Sequence, residues 1–121
     1  FCGYAEKSEP DGALSIFCGA YRIPWHFYMN LARRAGVHIF TEGGDPMEAN
    51  EHMLTLHARF PGVKTVKLPG KADVIDVYHG RKIASGVESF TFDAPLHSSW
   101  LFYFGPDGND LLKKISGRLE P

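Results

Sequence analysis

Six histidines and 14 acidic residues are the raw material for a catalytic or metal site in this sequence, and their spacing decides which chemistry is open. His38, His52 and His57, with Glu42 or Asp45 nearby, come closest to a metal-ligand set. A zinc protease carries two His residues one helical turn apart with a Glu between them, so that both imidazoles leave the same face. His52 and His57 are five positions apart and would leave opposite faces of a strand. A small stand-alone metal-dependent hydrolase using His38, His52 or His57 is therefore the minor reading, and no metal or cofactor is expected. His57 reads as a partly buried histidine hydrogen-bonded within a sheet.

The acids fare no better as catalysts. Glycoside hydrolysis needs two carboxyl groups ~5 to 9 Å apart, one of them in an apolar setting that raises its pKa. Glu42, Asp45, Glu48 and Glu51 crowd one polar turn and read as a solvated loop. Ser15, Ser85, Ser89, Ser98 and Ser99 include no G-x-S-x-G elbow. Gly43-Gly44 is followed by Asp45-Pro46 and not by Lys-Ser/Thr, so it is no phosphate loop. No catalytic residue is assigned.

The aromatic residues offer binding instead. Trp100, Phe102 and Phe104 alternate with Leu101 and Tyr103, which sends the first three toward a core. Tyr78 and Tyr103 are left for a surface role. A flat aromatic can cover the C–H face of a sugar ring, so weak carbohydrate binding through Tyr78 and Tyr103 is the expected site.

These side chains need elements to hold them. Phe1 to Ala5 and Leu14 to Gly19 read as strands around the turn Ser8-Glu9-Pro10-Asp11-Gly12. Trp25, Tyr28, Met29, Leu31, Ala32 and Ala35 recur at helical spacing after Pro24, with Arg33, Arg34 and Gly36 closing the helix. That helix is expected to pack by Trp25, Met29 and Ala32 against a sheet. Val37 to Phe40 reads as a second strand, completing a β-α-β unit with parallel pairing. Beyond Pro46 the period drops to two: Leu54, Leu56 and Ala58 oppose Met53, Thr55 and His57. Glu48 to Leu56 would also suit a helix. Val66 and Leu68 lead to a turn at Pro69-Gly70, and Val74, Asp76 and Tyr78 oppose Asp73, Ile75 and Val77. His79 to Lys82 forms a hairpin connection, and Phe90 and Phe92 alternate with polar neighbours. Leu56 and Phe92 are placed on inward faces. Asp107 to Asp110 is expected to cap one helical turn through Leu111, Leu112 and Ile115.

The predicted class is α+β: an N-terminal β-α-β unit packed with a small antiparallel β-sandwich. The segments are a β-α-β piece over 1–46, a sandwich over 47–107 and a tail over 108–121, together one compact unit cut from a larger protein. Composition agrees with an ordered domain, since 44% of the 121 residues are hydrophobic and 13% aromatic. A net charge of -1 supplies no field for nucleic acid, and no apolar run approaches the ~20 residues that span a bilayer. Cys2 and Cys18 are too few for a disulfide framework; they either bridge two neighbouring strands or stay as thiols, and the compartment is left open.

The order "ARRAGVHIF", "MLTLHARFPGVKTVKLP", "ADVIDVYHGRKIASGVESFTFDAP" and "LFYFG" resembles the C-terminal end of glycoside-hydrolase-like proteins related to the family 42 β-galactosidases. The resemblance covers roughly residues 13 to 105. It implies the end of an α/β amidotransferase-like domain followed by a small β domain, downstream of a catalytic (β/α)8 barrel. The catalytic carboxylates of such proteins belong to the barrel, so none is carried over here. The implied function is a non-catalytic accessory region that serves packing, homo-oligomer contacts or weak carbohydrate binding, with the remainder of the parent enzyme as partner.

Overall fold

The computed structural model describes residues 3–119. The chain runs β1 (Tyr4–Ser8), β2 (Leu14–Cys18), α1 (Trp25–Arg34), β3 (Met47–Ala49), β4 (Met53–His57), β5 (Gly62–Asp76), β6 (Arg81–Ala94), β7 (Ser99–Tyr103) and α2 (Gly108–Leu119). β1 and β2 form a two-stranded ribbon, and the other strands form one sheet in the order β3-β4-β7-β5-β6, antiparallel throughout. The class is α+β and mostly sheet, as the sequence predicts.

The expected parallel β-α-β pairing does not form. Strand β2 takes β1 as its partner through a short local connection, in which Gly12 N–H donates to Glu9 O and Ala13 N–H to the Asp11 carboxylate. Closing so short a loop costs far less chain entropy than waiting for a strand beyond a helix. Residues 37–40, predicted as a strand, run instead as an irregular segment. It touches β5 at one place, where Lys67 N–H donates to Phe40 O at 2.7 Å and the His38 imidazole meets Lys67 O at 2.8 Å.

Helix α1 also departs from expectation. Its Trp25, Met29 and Ala32 face the irregular segment 37–46 and reach the sheet only at Met47, the first residue of β3, and none of its residues is buried. Trp25 lies over Gly44, where a Cβ would come within 2.9 Å of the indole and where φ is +72°. The opposite side of the helix meets the ribbon, with Phe27 edge-on to Tyr4 and Arg34 paired with Glu6. That guanidinium, helped by the Tyr4 hydroxyl, draws the Glu6 carboxyl down to about 2.

Strands β5 and β6 explain the core. Pro69-Gly70, predicted as a turn, lies inside β5, and the β5–β6 register breaks between Lys67 and Ala72. Pro has no N–H to give a ladder, so it sits where the pairing is interrupted. Past the break, Ile75 and Asp76 pair with β6 on one side and with Tyr103 and Phe102 of β7 on the other. The far half of the hairpin turns back over the β4–β7 face, putting Phe90 and Phe92 at 5.0 and 4.8 Å from Phe102, a sandwich-like closure. Leu54, Leu56, Val66, Val74 and Phe102 are fully buried there. Leu56 and Phe92 both face inward, Phe92 at the rim.

The ambiguous stretch 48–56 is strand. Asn50 makes the turn, its side-chain oxygen accepting from His52 N–H at 2.9 Å and Met53 N–H at 2.8 Å. The C-terminal helical turn expected from the sequence is a helix of 12 residues, packed on β5 with Gly108 against Ile75. Just before it, a Cβ at Gly105 would overlap the Tyr103 hydroxyl, which donates to Asp107. Gly105→Ala must therefore push Tyr103 aside. The expected cost is about 1 to 3 kcal/mol, read as a lower denaturant midpoint together with a Tyr103 titration returned toward an ordinary phenol.

Two anchors tie the 37–46 segment to the sheet. Phe40 packs on the core beside Phe104, and Asp45 is buried where its carboxylate accepts from Arg59 N–H at 2.8 Å and faces the Lys64 ammonium at 2.7 Å. Burial by itself would push Asp45 up, but the Lys64 ammonium and the Arg59 N–H outweigh it and hold the carboxyl below its usual range. The pairing of Cys2 with Cys18 lies outside the described residues. Among the described residues no helix is long and apolar enough to cross a membrane.

Candidate functional site

Trp100 is the residue around which a site can be built. It shares the inner face of β7 with Phe102, but it stands near the strand's start, at the edge of the core, and is half-buried. Its indole N–H donates to Ser98 Oγ at 2.9 Å, and that hydroxyl in turn donates to Pro95 O at 2.6 Å. A tryptophan whose polar tip is already satisfied is held in one orientation and offers its face. Phe92 flanks the ring at 4.8 Å and His79 at 5.4 Å.

Two clefts adjoin this ring. One, of about 480 Å³, is lined by Asp76, Arg81, Thr91, Phe92, Asp93 and Trp100 among others. The second, of about 280 Å³, is lined by Glu48, Thr55, His57, Tyr78, Ser99 and Trp100 among others. Apolar ring faces and a few polar groups meet at one point.

Asp76 is the most constrained of the polar groups. It is the last residue of β5, on the inward face with Val74, and is fully buried. A buried carboxylate must be compensated, and here the donors come from the connection that follows: His79 N–H at 3.3 Å, His79 Nδ1 at 2.7 Å and Arg81 Nε at 3.4 Å. With Nδ1–H donated to Asp76, Nε2 is the ring nitrogen left free of that contact. Among the described residues no Ser, Thr or Cys side chain is hydrogen-bonded to His79, and the contact with Asp76 fixes the orientation of the imidazole. Lys82 is occupied by Asp73 at 2.7 Å, and that ammonium, with the Gly86 N–H, holds the Asp73 carboxyl below its usual range.

The two tyrosines expected to carry a site are placed differently. Tyr78 stands in the β5–β6 connection, 57% exposed, at the lip of the smaller cleft beside Trp100. Tyr103 is on the other face of the sheet, half-buried against the segment that leads into α2. Its hydroxyl donates to Asp107, which raises the phenol above its ordinary range and lowers the carboxyl. It is tied down and no open platform.

The histidines considered for metal are not brought together. His38 meets a backbone carbonyl of β5, His52 lies edge-on to Tyr103, and His57 contacts Ser99 Oγ at 3.0 Å across β4 and β7. Among the described residues no three His, Cys, Asp or Glu side chains form a metal-ligand group. His57 is hydrogen-bonded within the sheet as expected, but it stands on the exposed face and is not partly buried.

Sequence reasoning passed over Trp100 as a core residue and did not single out Asp76. The signal for Asp76 was present: an acid at an inward position of an alternating strand, with His three and Arg five residues later as donors. No family model, no curated protein and no solved structure matches the chain.

Proposed function

We propose that this chain is a non-catalytic accessory region of a glycoside hydrolase, whose own contribution to substrate is weak carbohydrate binding at Trp100 and Tyr78. The single observation that supports it is the immobilised, half-exposed indole at the junction of two clefts. A pyranose has an apolar C–H face that an aromatic ring covers, and hydroxyls that need oriented polar partners. Trp100 and Tyr78 supply the first; Asp76, through His79 and Arg81, with Thr91 and Asp93, supplies the second. Tyr103 takes no part, because its hydroxyl is committed to Asp107. The resemblance in the sequence supports the parent class, and the remainder of that enzyme is the structural partner.

Shallow clefts bury little of a ligand, so a dissociation constant of ~1 mM or weaker is expected, near 4 kcal/mol of binding. Titration with galactose and short oligosaccharides, followed by amide and indole NMR shifts, checks it. Shifts should centre on Trp100, Tyr78 and His79, and Trp100→Ala should remove them. Shifts centred on His38 or Tyr103, or no shift at tens of millimolar sugar, would overturn the site. The same sample should show no turnover of chromogenic glycosides; turnover lost in a carboxylate variant would overturn the accessory reading.

A further inference from the structure

The charges beside Trp100 do not cancel evenly, and the remainder is negative. Strand β6 lines the larger cleft twice, with Arg81, Lys82 and Ile83 near its start and Thr91, Phe92 and Asp93 near its end. The basic end is already answered. Arg81 Nε faces the buried Asp76 carboxylate at 3.4 Å, and the Lys82 ammonium meets Asp73 at 2.7 Å. At the other end, Asp93 has no ion pair or hydrogen bond among the described residues. Its cross-strand neighbour on β5 is Val63, which brings no charge, and the position opposite Thr91 is Thr65.

The aromatic wall has the same sign preference. An indole face carries the negative part of the ring's quadrupole and attracts a cation, most of all where another group of negative charge stands by. Trp100 is held by Ser98 through its N–H, so its face keeps one orientation, and Phe92 flanks it at 4.8 Å. A neutral sugar uses only the apolar character of that face. A sugar bearing an ammonium group uses its charge as well.

We infer that the sugar taken at Trp100 is a 2-amino-2-deoxy sugar, with its C–H face on the indole and its ammonium between the ring and the Asp93 carboxylate. This rests on the carbohydrate reading above and names the class of sugar within it. A hydroxyl in place of the ammonium gives Asp93 a weaker hydrogen bond, and a sugar carboxylate would meet it as a like charge. Arg81 does not reverse the preference, because its guanidinium stands against a carboxylate that water does not reach.

Galactosamine and galactose differ only in the group at C2, so parallel titrations of the intact chain at about pH 7, where the sugar amine is largely protonated, test this. The Trp100 indole and Asp93 amide shifts report binding. At low salt galactosamine should bind about fivefold more tightly than galactose, the size expected of an exposed ion pair together with a cation–π contact. N-acetylgalactosamine, which lacks the charge, should lose that advantage, and added salt should shrink it. Asp93→Asn should bring galactosamine and galactose to similar affinities. Glu88→Gln removes the same charge from another exposed position of β6 that lines neither cleft, and should keep the preference. Equal affinities in the parent, with both sugars shifting Trp100, would overturn the inference and leave the carbohydrate reading standing. A preference that survives Asp93→Asn would overturn it equally. No shift with either sugar would overturn the carbohydrate reading itself, and this inference with it.

Discussion

Phe102→Ala is expected to cost about 3 to 5 kcal/mol, the largest loss of any single truncation in this chain. The ring is fully buried and is touched by Phe90 at 5.0 Å, Phe92 at 4.8 Å and Trp100 at 5.9 Å, so its removal leaves a cavity bordered by rings. Rings on a β-sheet cannot slide together to close such a space, and the lost contacts add to the lost transfer energy. Because Trp100 leans on Phe102, the substitution should also loosen the indole and weaken sugar binding. Urea denaturation followed by Trp100 fluorescence in a Trp25→Phe background measures both. A midpoint close to that of the parent would mean that the hairpin does not close over β7.

The second large effect is electrostatic. Lys64→Met keeps most of the side-chain volume but leaves the buried Asp45 carboxylate without its ammonium. Removing one partner of a buried pair costs about 3 to 5 kcal/mol, and the lower figure is expected because Lys64 keeps a tenth of its side chain in water. The pH dependence separates this from a packing defect. In the parent, the Asp45 carboxyl is held below its unfolded value, so its contribution is complete above the unfolded carboxylate range, about pH 4, and is lost as pH falls through the folded value. In the variant, burial is opposed only by backbone donors such as the Arg59 N–H, so the carboxyl moves up from its place in the parent and protonation relieves the unpaired charge. The stability difference between the two proteins should therefore shrink on acidification. Asp45→Asn combined with Lys64→Met should recover part of the loss at neutral pH, and a difference that stays constant from pH 7 to 3 would contradict the ion-pair account.

Alternation made β4 readable, because Leu54 and Leu56 must face one way when Thr55 and His57 face the other. The same rule read β7 correctly at Phe102 and lost Trp100, since a two-residue period gives the face and says nothing of distance from the strand's end. The helix of residues 25–34 was legible from its apolar spacing and its Arg33-Arg34-Gly36 ending. Its packing partner was not, because spacing shows that a face is apolar and leaves open what covers it. Val37 to Phe40 looks like a strand by composition; β1 had already satisfied β2, a choice made by loop length that no local window contains. Pro69 hid the continuity of β5, since a proline reads as a stop where the fold uses it as a bend. Asp76 and His79 became neighbours of Trp100 only when the end of β5 paired with β7, a contact between segments far apart in the chain.

The bend also sets an order in time. Beyond it, β5 and β6 are joined by residues 77–80 alone, whereas His57 and Ser99, which meet across β4 and β7, are 42 residues apart in the chain. Closure entropy grows with the logarithm of the loop, and a hairpin of this kind forms in about 1 to 10 μs, so the β5–β6 ribbon assembles before β4 and β7 find each other. Once it exists, the effective loop between β4 and β7 is shortened, and their docking seals Phe102 beneath Phe90 and Phe92 in the final step. The ring that contributes most to holding the native state is thus expected among the last to be enclosed, and Phe102→Ala should accelerate unfolding far more than it slows refolding in stopped-flow measurements.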